Sequence, residues 1–268
     1  MIARSYLFVP GDRPDRFDKA LAAGADAVIV DLEDAVAPAA KAAARAAVGA
    51  WLSTEKPIVL RINADTTEWF ADDLRLARAP GVAGILLPKA ERIDGALQAI
   101  CAETGKFLLP LIETAVGFEQ ARALASAPGV ERLLFGTLDF QVDMGIDGEG
   151  DELAYFRSAL VLASRLAGIQ PPVDGPSTAL DDSAQVAADT HRARRLGFGG
   201  KLCIHPRQVA PVNAAFAPSA DDLVWAQRVL AAAAESGGAA VALDGRMVDR
   251  PVILKAEQMV REAARRGM

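Results

Sequence analysis

The strongest constraint on this chain is an alternation that repeats eight times. Short apolar, β-rich runs are each followed by an Ala-, Leu- and Arg-rich stretch with helical periodicity. The runs are YLFV (6–9), AVIV (27–30), PIVLRI (57–62), GILLP (84–88), FLLPLI (107–112), RLLFG (132–136), PPVDG (171–175) and GKLCI (200–204). Helical patterns are expected over Arg13–Ala23, Ala39–Leu52, Trp69–Ala79, Arg92–Glu103, Ala115–Ala127, Glu152–Leu166, Asp182–Leu196 and Arg207–Phe216. Strict alternation argues for a parallel sheet, because successive parallel strands need a helical crossover. The runs carry no polar alternation, so both faces of that sheet are expected to be buried. Eight units favour closure into a TIM-type (β/α)8 barrel. An open, doubly wound sheet is the alternative, since periodicity does not report closure. However, PGDRPDR after the first run is not the GxGxxG turn of a dinucleotide-binding sheet.

The 268 residues suit one large α/β domain. Beyond the eighth unit come a further helix (Asp221–Glu235), a Gly-rich break, a hairpin turned at Asp244-Gly245 and a terminal amphipathic helix. The expected division is a catalytic barrel over 1–216 and an α-helical and hairpin extension over 217–268. That extension is expected to pack on the barrel mouth or on a neighbouring subunit.

Charge narrows the partners. There are 29 Lys+Arg against 35 Asp+Glu, a net −6, and no basic block, so nucleic-acid binding has little electrostatic support. No apolar run is long enough for a membrane span. A strand pattern starts at Arg4–Val9, which leaves no room for a signal peptide. Cys101 and Cys203 fall in a predicted helix and a predicted strand and read as buried free thiols, so a reducing cytoplasm is expected.

In a β/α barrel the chemistry sits at the C-terminal ends of the strands. Those ends offer Pro10–Arg13, then Asp31, Glu33 and Asp34, then Arg61 and Asn63, then Pro88-Lys89. Glu113-Thr114, Gly136-Thr137-Leu138-Asp139, Asp174 and His205 follow. This is an acidic ring with one or two arginines. Its carboxylates repel one another unless a cation or protons neutralise them. No Cys/His cluster supports zinc, and all-oxygen ligands favour Mg2+, with Mn2+ as a substitute. Glu113 and Asp139, on adjacent strands, suit a metal that takes one or two protein carboxylates. The plainer roles are helix caps for Asp12, Asp182 and Thr114, and an ion pair of Arg61 with Glu33 or Asp34. His205 suits a structural hydrogen bond at a strand-to-helix turn, and His191 the surface.

The motifs RSYLFVPGDRPDRFDKALAAGADAVIVDLEDAV, LRIN, LLPKAE, LIETAVG, FGTLDF and GFGGKLCIHPRQV occur in this order across nearly the whole chain. Together they resemble the citrate lyase beta subunit and its relatives in the HpcH/HpaI aldolase superfamily. The resemblance implies a metal held by Glu113 and Asp139, a substrate contact from Arg61, and Glu33 and Asp34 holding metal-bound waters. It also implies Arg13 or Lys19, near the first strand, as a contact to coenzyme A, Arg13 and Thr137 as substrate contacts, and a homotrimer in which Asp249 completes a neighbour's site. Many relatives carry an acid where this chain has Leu138. An aromatic expected shortly after Asp174 is absent from PPVDGPSTALDD.

The expected reaction is retro-Claisen cleavage of a 3-hydroxyacyl-CoA of citryl, citramalyl or malyl type. The metal acidifies the substrate hydroxyl, Arg61 offsets the charge of the departing enolate, and Asp249 protonates its carbon. Two other readings stay open. One is action on an acyl carrier protein thioester within a citrate lyase complex. The other is a CoA-independent pyruvate aldolase, disfavoured because only His191 and His205 are present and both lie late in the chain. A non-catalytic barrel would leave the acidic ring without a purpose.

Overall fold

A computed structural model describes residues 2–236 and 239–265. Eight parallel strands close into a barrel in chain order, with β8 pairing back to β1. They are β1 (Ser5–Pro10), β2 (Ala27–Asp31), β3 (Ile58–Arg61), β4 (Val82–Leu87), β5 (Phe107–Ile112), β6 (Leu134–Phe135), β7 (Val173–Asp174) and β8 (Gly200–Cys203). Each lies within or across one of the eight apolar runs.

The interior is filled by side chains drawn from every strand: Tyr6, Ile29, Val59, Leu86, Leu109, Leu111, Leu134, Val173 and Leu202. Strand side chains alternate faces, so the residue two positions on from each also faces the barrel axis, nearer the C-terminal end. That rule puts Asp31, Arg61 and Glu113 at the mouth. Below the core, the fully buried Arg132 donates to the carbonyls of Ala3 (2.6 Å), Pro171 (2.7 Å) and Pro172 (3.4 Å) and to the Tyr6 hydroxyl (3.1 Å). Behind β7 and β8, Asp174 lies between Arg157 (2.8 Å) and Lys201 (3.4 Å), all three buried.

The surrounding helices are α1 (Phe17–Ala22), α2 (Lys41–Trp51), α3 (Phe70–Ala77), α4 (Gly95–Thr104), α5 (Ala115–Glu119), α6 (Ala121–Ala125), α7 (Thr137–Met144), α8 (Ala154–Ala167), α9 (Ser183–Leu196) and α10 (Val209–Phe216). Three expectations are corrected. The single helix expected over Ala115–Ala127 is broken at Gln120, the junction of α5 and α6. An unexpected helix, α7, follows β6 directly, so Asp139 stands in a helix's first turn rather than on a strand-end loop. Asp12 caps nothing: the turn at Pro14–Arg16 begins at Arg13 without a side-chain cap, and Pro14 itself supplies the fixed φ that starts it. The other caps are found, Thr114 accepting from Gly117 N–H (3.0 Å) and Asp182 from Gln185 N–H (2.9 Å). Cys101 and Cys203 are buried free thiols. None of the helices among the described residues is long and apolar enough to cross a membrane.

Residues from Ala215 onward form a second compact unit. In it α11 (Ala220–Glu235) packs with α12 (Arg250–Arg265) and a hairpin of β9 (Val241–Leu243) and β10 (Arg246–Val248). The hairpin turns at Asp244 and Gly245, both left-handed (φ 50° and 73°), as a two-residue turn between twisted strands requires. Ser219 starts α11 with a reciprocal capping box to Asp222.

Candidate active site

The site is built on the strand ends. Arg61, on the inward face at the end of β3, is the hub. Its guanidinium grips Asp31 with two bonds, Nε to Oδ1 (2.7 Å) and Nη2 to Oδ2 (2.5 Å). It lies 3.0 Å from Glu33 Oε2 and 4.0 Å from Asp34, and stacks on the Phe8 ring at 4.8 Å. The expected pair with Glu33 or Asp34 is therefore present, but Asp31 is the principal partner. Burial opposes the Arg61 charge, yet Asp31, Glu33 and Glu113 outweigh it, so the guanidinium is held more firmly protonated than usual. Asp31 also accepts from the N–H groups of Glu33 (2.7 Å) and Ala35 (3.2 Å), which sets the loop carrying the acid pair. The buried Lys41 ammonium holds that loop from behind through the carbonyls of Leu32 (2.8 Å) and Glu33 (2.6 Å).

Glu113 ends β5 and is buried (2 % exposed). Its Oε2 accepts from the Lys89 N–H at 2.8 Å. A Cβ on Gly136 would lie 2.3 Å from Glu113 Cγ, so a side chain at 136 is incompatible with this placement. Burial above all, with Asp139 and Glu33 adding to it, pushes the Glu113 carboxyl up to about 8, against the Lys89 N–H and Arg61. Asp139, exposed on the first turn of α7, is near enough to contribute. One turn on, Asp143 accepts from Ala115 N–H (2.7 Å) and ties α7 to the start of α5.

Lys89 follows β4 and binds Glu33 Oε1 through its ammonium, with Asp34 at 3.4 Å. Burial would weaken that charge, but Glu33, Glu113 and Asp34 together hold it protonated. Thr137 is buried and packed over Gly175 at the end of β7.

The structure thus gathers Arg61, Glu33, Asp34, Glu113 and Asp139 around one mouth. Arg13 is not drawn into this network. It lies in the open, paired with Asp15 at 3.0 Å, and Lys19 is exposed on α1. Asp249 belongs to the second unit, where its carboxylate accepts from Val252 N–H (3.4 Å) at the entry to α12. His205 Nδ1 accepts from Arg207 N–H (3.2 Å), the structural role expected, and His191 is exposed. Three participants carried no expected role: Asp31, Lys89 and Lys41. Asp31 already stands among the strand-end acids, and the period-2 rule from Ile29 puts it on the inward face beside Arg61. Nothing in the sequence announces the backbone turn that aims Lys89.

The donor set is tested against a hard divalent cation by two features. Glu113 is a buried carboxylate whose ionisation needs a countercharge. Glu33 Oε2 is buried and accepts no aligned hydrogen bond. All the donors are oxygens, and the residues present fit Mg2+.

A family model described as HpcH/HpaI aldolase/citrate lyase matches residues 4–206. The chain belongs to this family. It is 36% identical to a citrate lyase subunit beta-like protein of Deinococcus radiodurans, over 98% of each chain. It is 34% identical to an L-malyl-CoA/beta-methylmalyl-CoA lyase of Cereibacter sphaeroides, over 97% of this chain and 94% of that one. Among solved structures, CitE from Mycobacterium tuberculosis in complex with magnesium, acetoacetate and coenzyme A superposes with a TM-score of 0.86 at 36% identity, covering 98% of both chains.

Proposed function

We propose that this member of the HpcH/HpaI family is a magnesium-dependent carbon–carbon lyase. It cleaves a 3-hydroxyacyl-CoA of citryl, citramalyl or malyl type to acetyl-CoA, or a homologue, and a 2-oxo acid. The observation that carries this is the buried, under-neutralised Glu113 at the barrel mouth, opposite a guanidinium already fixed by Asp31. The magnesium-, acetoacetate- and CoA-bound CitE structure and the malyl-CoA lyase relative support the same reading.

Glu113 and Asp139 would hold the ion. When bound, magnesium supplies Lewis acidity at the hydroxyl and carboxylate oxygens of the substrate. Glu33, whose Oε2 is ion-paired to Arg61 but accepts no aligned hydrogen bond, and Asp34 orient water at the rim. Arg61 cannot swing away, because Asp31 occupies two of its donors. It presents preorganised positive charge where the thioester enolate develops, which is worth most in a closed, poorly hydrated site. Thr137 lines the substrate side, and Arg13, by exchanging its Asp15 partner, or the exposed Lys19 meets the coenzyme's phosphates. The extension, residues 217–268, packs on the mouth of a neighbouring copy in a homotrimer and delivers Asp249, which passes to the enolate carbon the proton released by the substrate hydroxyl.

The test is to incubate the purified protein with a panel of 3-hydroxyacyl-CoA esters, with Mg2+ or with EDTA, and to follow the CoA species by mass spectrometry. Magnesium-dependent loss of one ester with acetyl-CoA appearing names the substrate. No turnover of any ester transfers the reading to a carrier-protein thioester or to a free aldehyde. Mixing two inactive variants, Glu113→Gln and Asp249→Asn, is expected to restore part of the activity through hybrid trimers. No restoration removes Asp249 from the scheme.

A further inference from the structure

Lys89 is one of two non-glycine residues with a positive φ among the described residues, at 47°. The other, Asp244, is explained by its hairpin turn. A lysine in the left-handed region is disfavoured by its Cβ, and glycine would sit there without penalty. Such strain persists where surrounding structure demands it. Here the demand has two parts. Turned this way, the Lys89 N–H meets Glu113 Oε2 at 2.8 Å, while Ala90 N–H continues to the Leu111 carbonyl at 3.0 Å. The same residue sends its half-exposed ammonium back to Glu33, with Asp34 at 3.4 Å. Glycine satisfies the backbone requirement and not the second, so the side chain is the reason for a strained lysine.

We propose that Lys89 is a positioning residue of the metal site, fixing the buried Glu113 through its backbone and the Glu33–Asp34 pair through its ammonium. The inference rests on the reading of Glu113 and Asp139 as metal ligands. It carries an electrostatic consequence. Against the carboxylates of Asp31, Glu33, Asp34, Glu113 and Asp139 stand Arg61 and Lys89, which pair with them directly, and the Lys41 ammonium behind the acid loop. An ammonium beside a divalent site lowers the affinity for the ion. Lys89 therefore holds the acids in working geometry and weakens cation binding while doing so. A residue that merely kept the fold intact would do the opposite, since its loss would disorder the ligands and loosen the ion.

The experiment uses the full-length protein and its Lys89→Met, Lys89→Arg and Lys89→Gly variants. Free Mn2+ is titrated by electron paramagnetic resonance, thioester turnover is measured beside it, and unfolding is followed by heat. Lys89→Met and Lys89→Gly are expected to bind Mn2+ about three- to tenfold more tightly, as removal of a nearby unit charge predicts. Turnover in both falls on the order of 10- to 100-fold, the scale of misplaced groups. Lys89→Arg recovers most of the wild-type values, and Lys89→Gly melts no lower than wild type because its backbone is relaxed. Unchanged or weaker Mn2+ binding in Lys89→Met overturns the inference, as does turnover within twofold of wild type. If the wild type itself binds no Mn2+, the metal reading of Glu113 and Asp139 has failed first. If it binds and the variants match it, only the role of Lys89 has.

Discussion

At the scale of single residues, the mouth is made by side chains that cannot move independently. Gly136 shows this most sharply. The space a Cβ would need is filled by Glu113 Cγ at 2.3 Å and Oε1 at 2.6 Å. Gly136→Ala is therefore expected to displace Glu113 and weaken Mg2+ binding by about tenfold or more, the cost of a disturbed ligand or its support. Calorimetric titration with Mg2+ reads that loss directly, and Glu113→Gln sets the scale for complete removal of the charge. Cys203 gives a second prediction at this scale. Burial pushes its thiol up to about 12, over the opposing effect of Lys201. The thiolate is the reactive form, so native protein at pH 8 is expected to leave Cys203 unmodified by iodoacetamide. Peptide mapping finding it alkylated without denaturant would show that the barrel wall opens.

At the scale of elements, what was legible in the sequence was whatever depended on local periodicity. All eight strand positions, the Thr114 and Asp182 caps and the Asp244-Gly245 turn follow from patterns a few residues long. The elements that escaped depend on longer-range pairing. Thr137–Met144 is helical because Gly136 N–H reaches back to the Ile112 carbonyl (2.9 Å) and Asp143 caps Ala115 across the gap. Neither partner is visible from within the segment. Gln120 likewise interrupts one amphipathic pattern at a place the pattern does not mark. The same limit applied at the site. Glu113, Asp139 and Arg61 stand out as charges at strand ends, whereas the grip of Asp31 on Arg61 needs the neighbouring strand's register, Asp31 beside Arg61. Thr114→Ala tests the local part. Losing the cap on the short α5 is expected to cost about 1 kcal/mol in urea unfolding, with no change in the strands.

At the scale of the whole barrel, buried charge sets the response to acid. Burial opposes ionisation of Asp174, but Lys201 and Arg157 outweigh it and hold its carboxyl below the ordinary 3.8. The stability from this pairing is present above the unfolded value and is lost as pH falls through the lower, folded one. Asp174→Asn is expected to destabilise the protein at pH 7 by about 3–5 kcal/mol, as an uncompensated buried charge does. It should also flatten the fall in thermal midpoint below pH 4. An unchanged acid limb in that variant would assign it to other carboxylates.

Arg132 has a consequence for how the barrel comes together. Its guanidinium joins Ala3 and Tyr6 to Pro171 and Pro172, and the Lys201 N–H meets the Arg4 carbonyl at 2.7 Å beside it. The first strand thus waits, with its floor unsealed, until the seventh and eighth have been synthesised. Before then that charge lacks the carbonyls of Pro171 and Pro172, two of its four partners, so partial barrels leaving the ribosome carry a penalty that only ring closure removes. Assembly is driven toward all eight strands at once, and fragments ending after six should be found with chaperones or proteases rather than as folded intermediates.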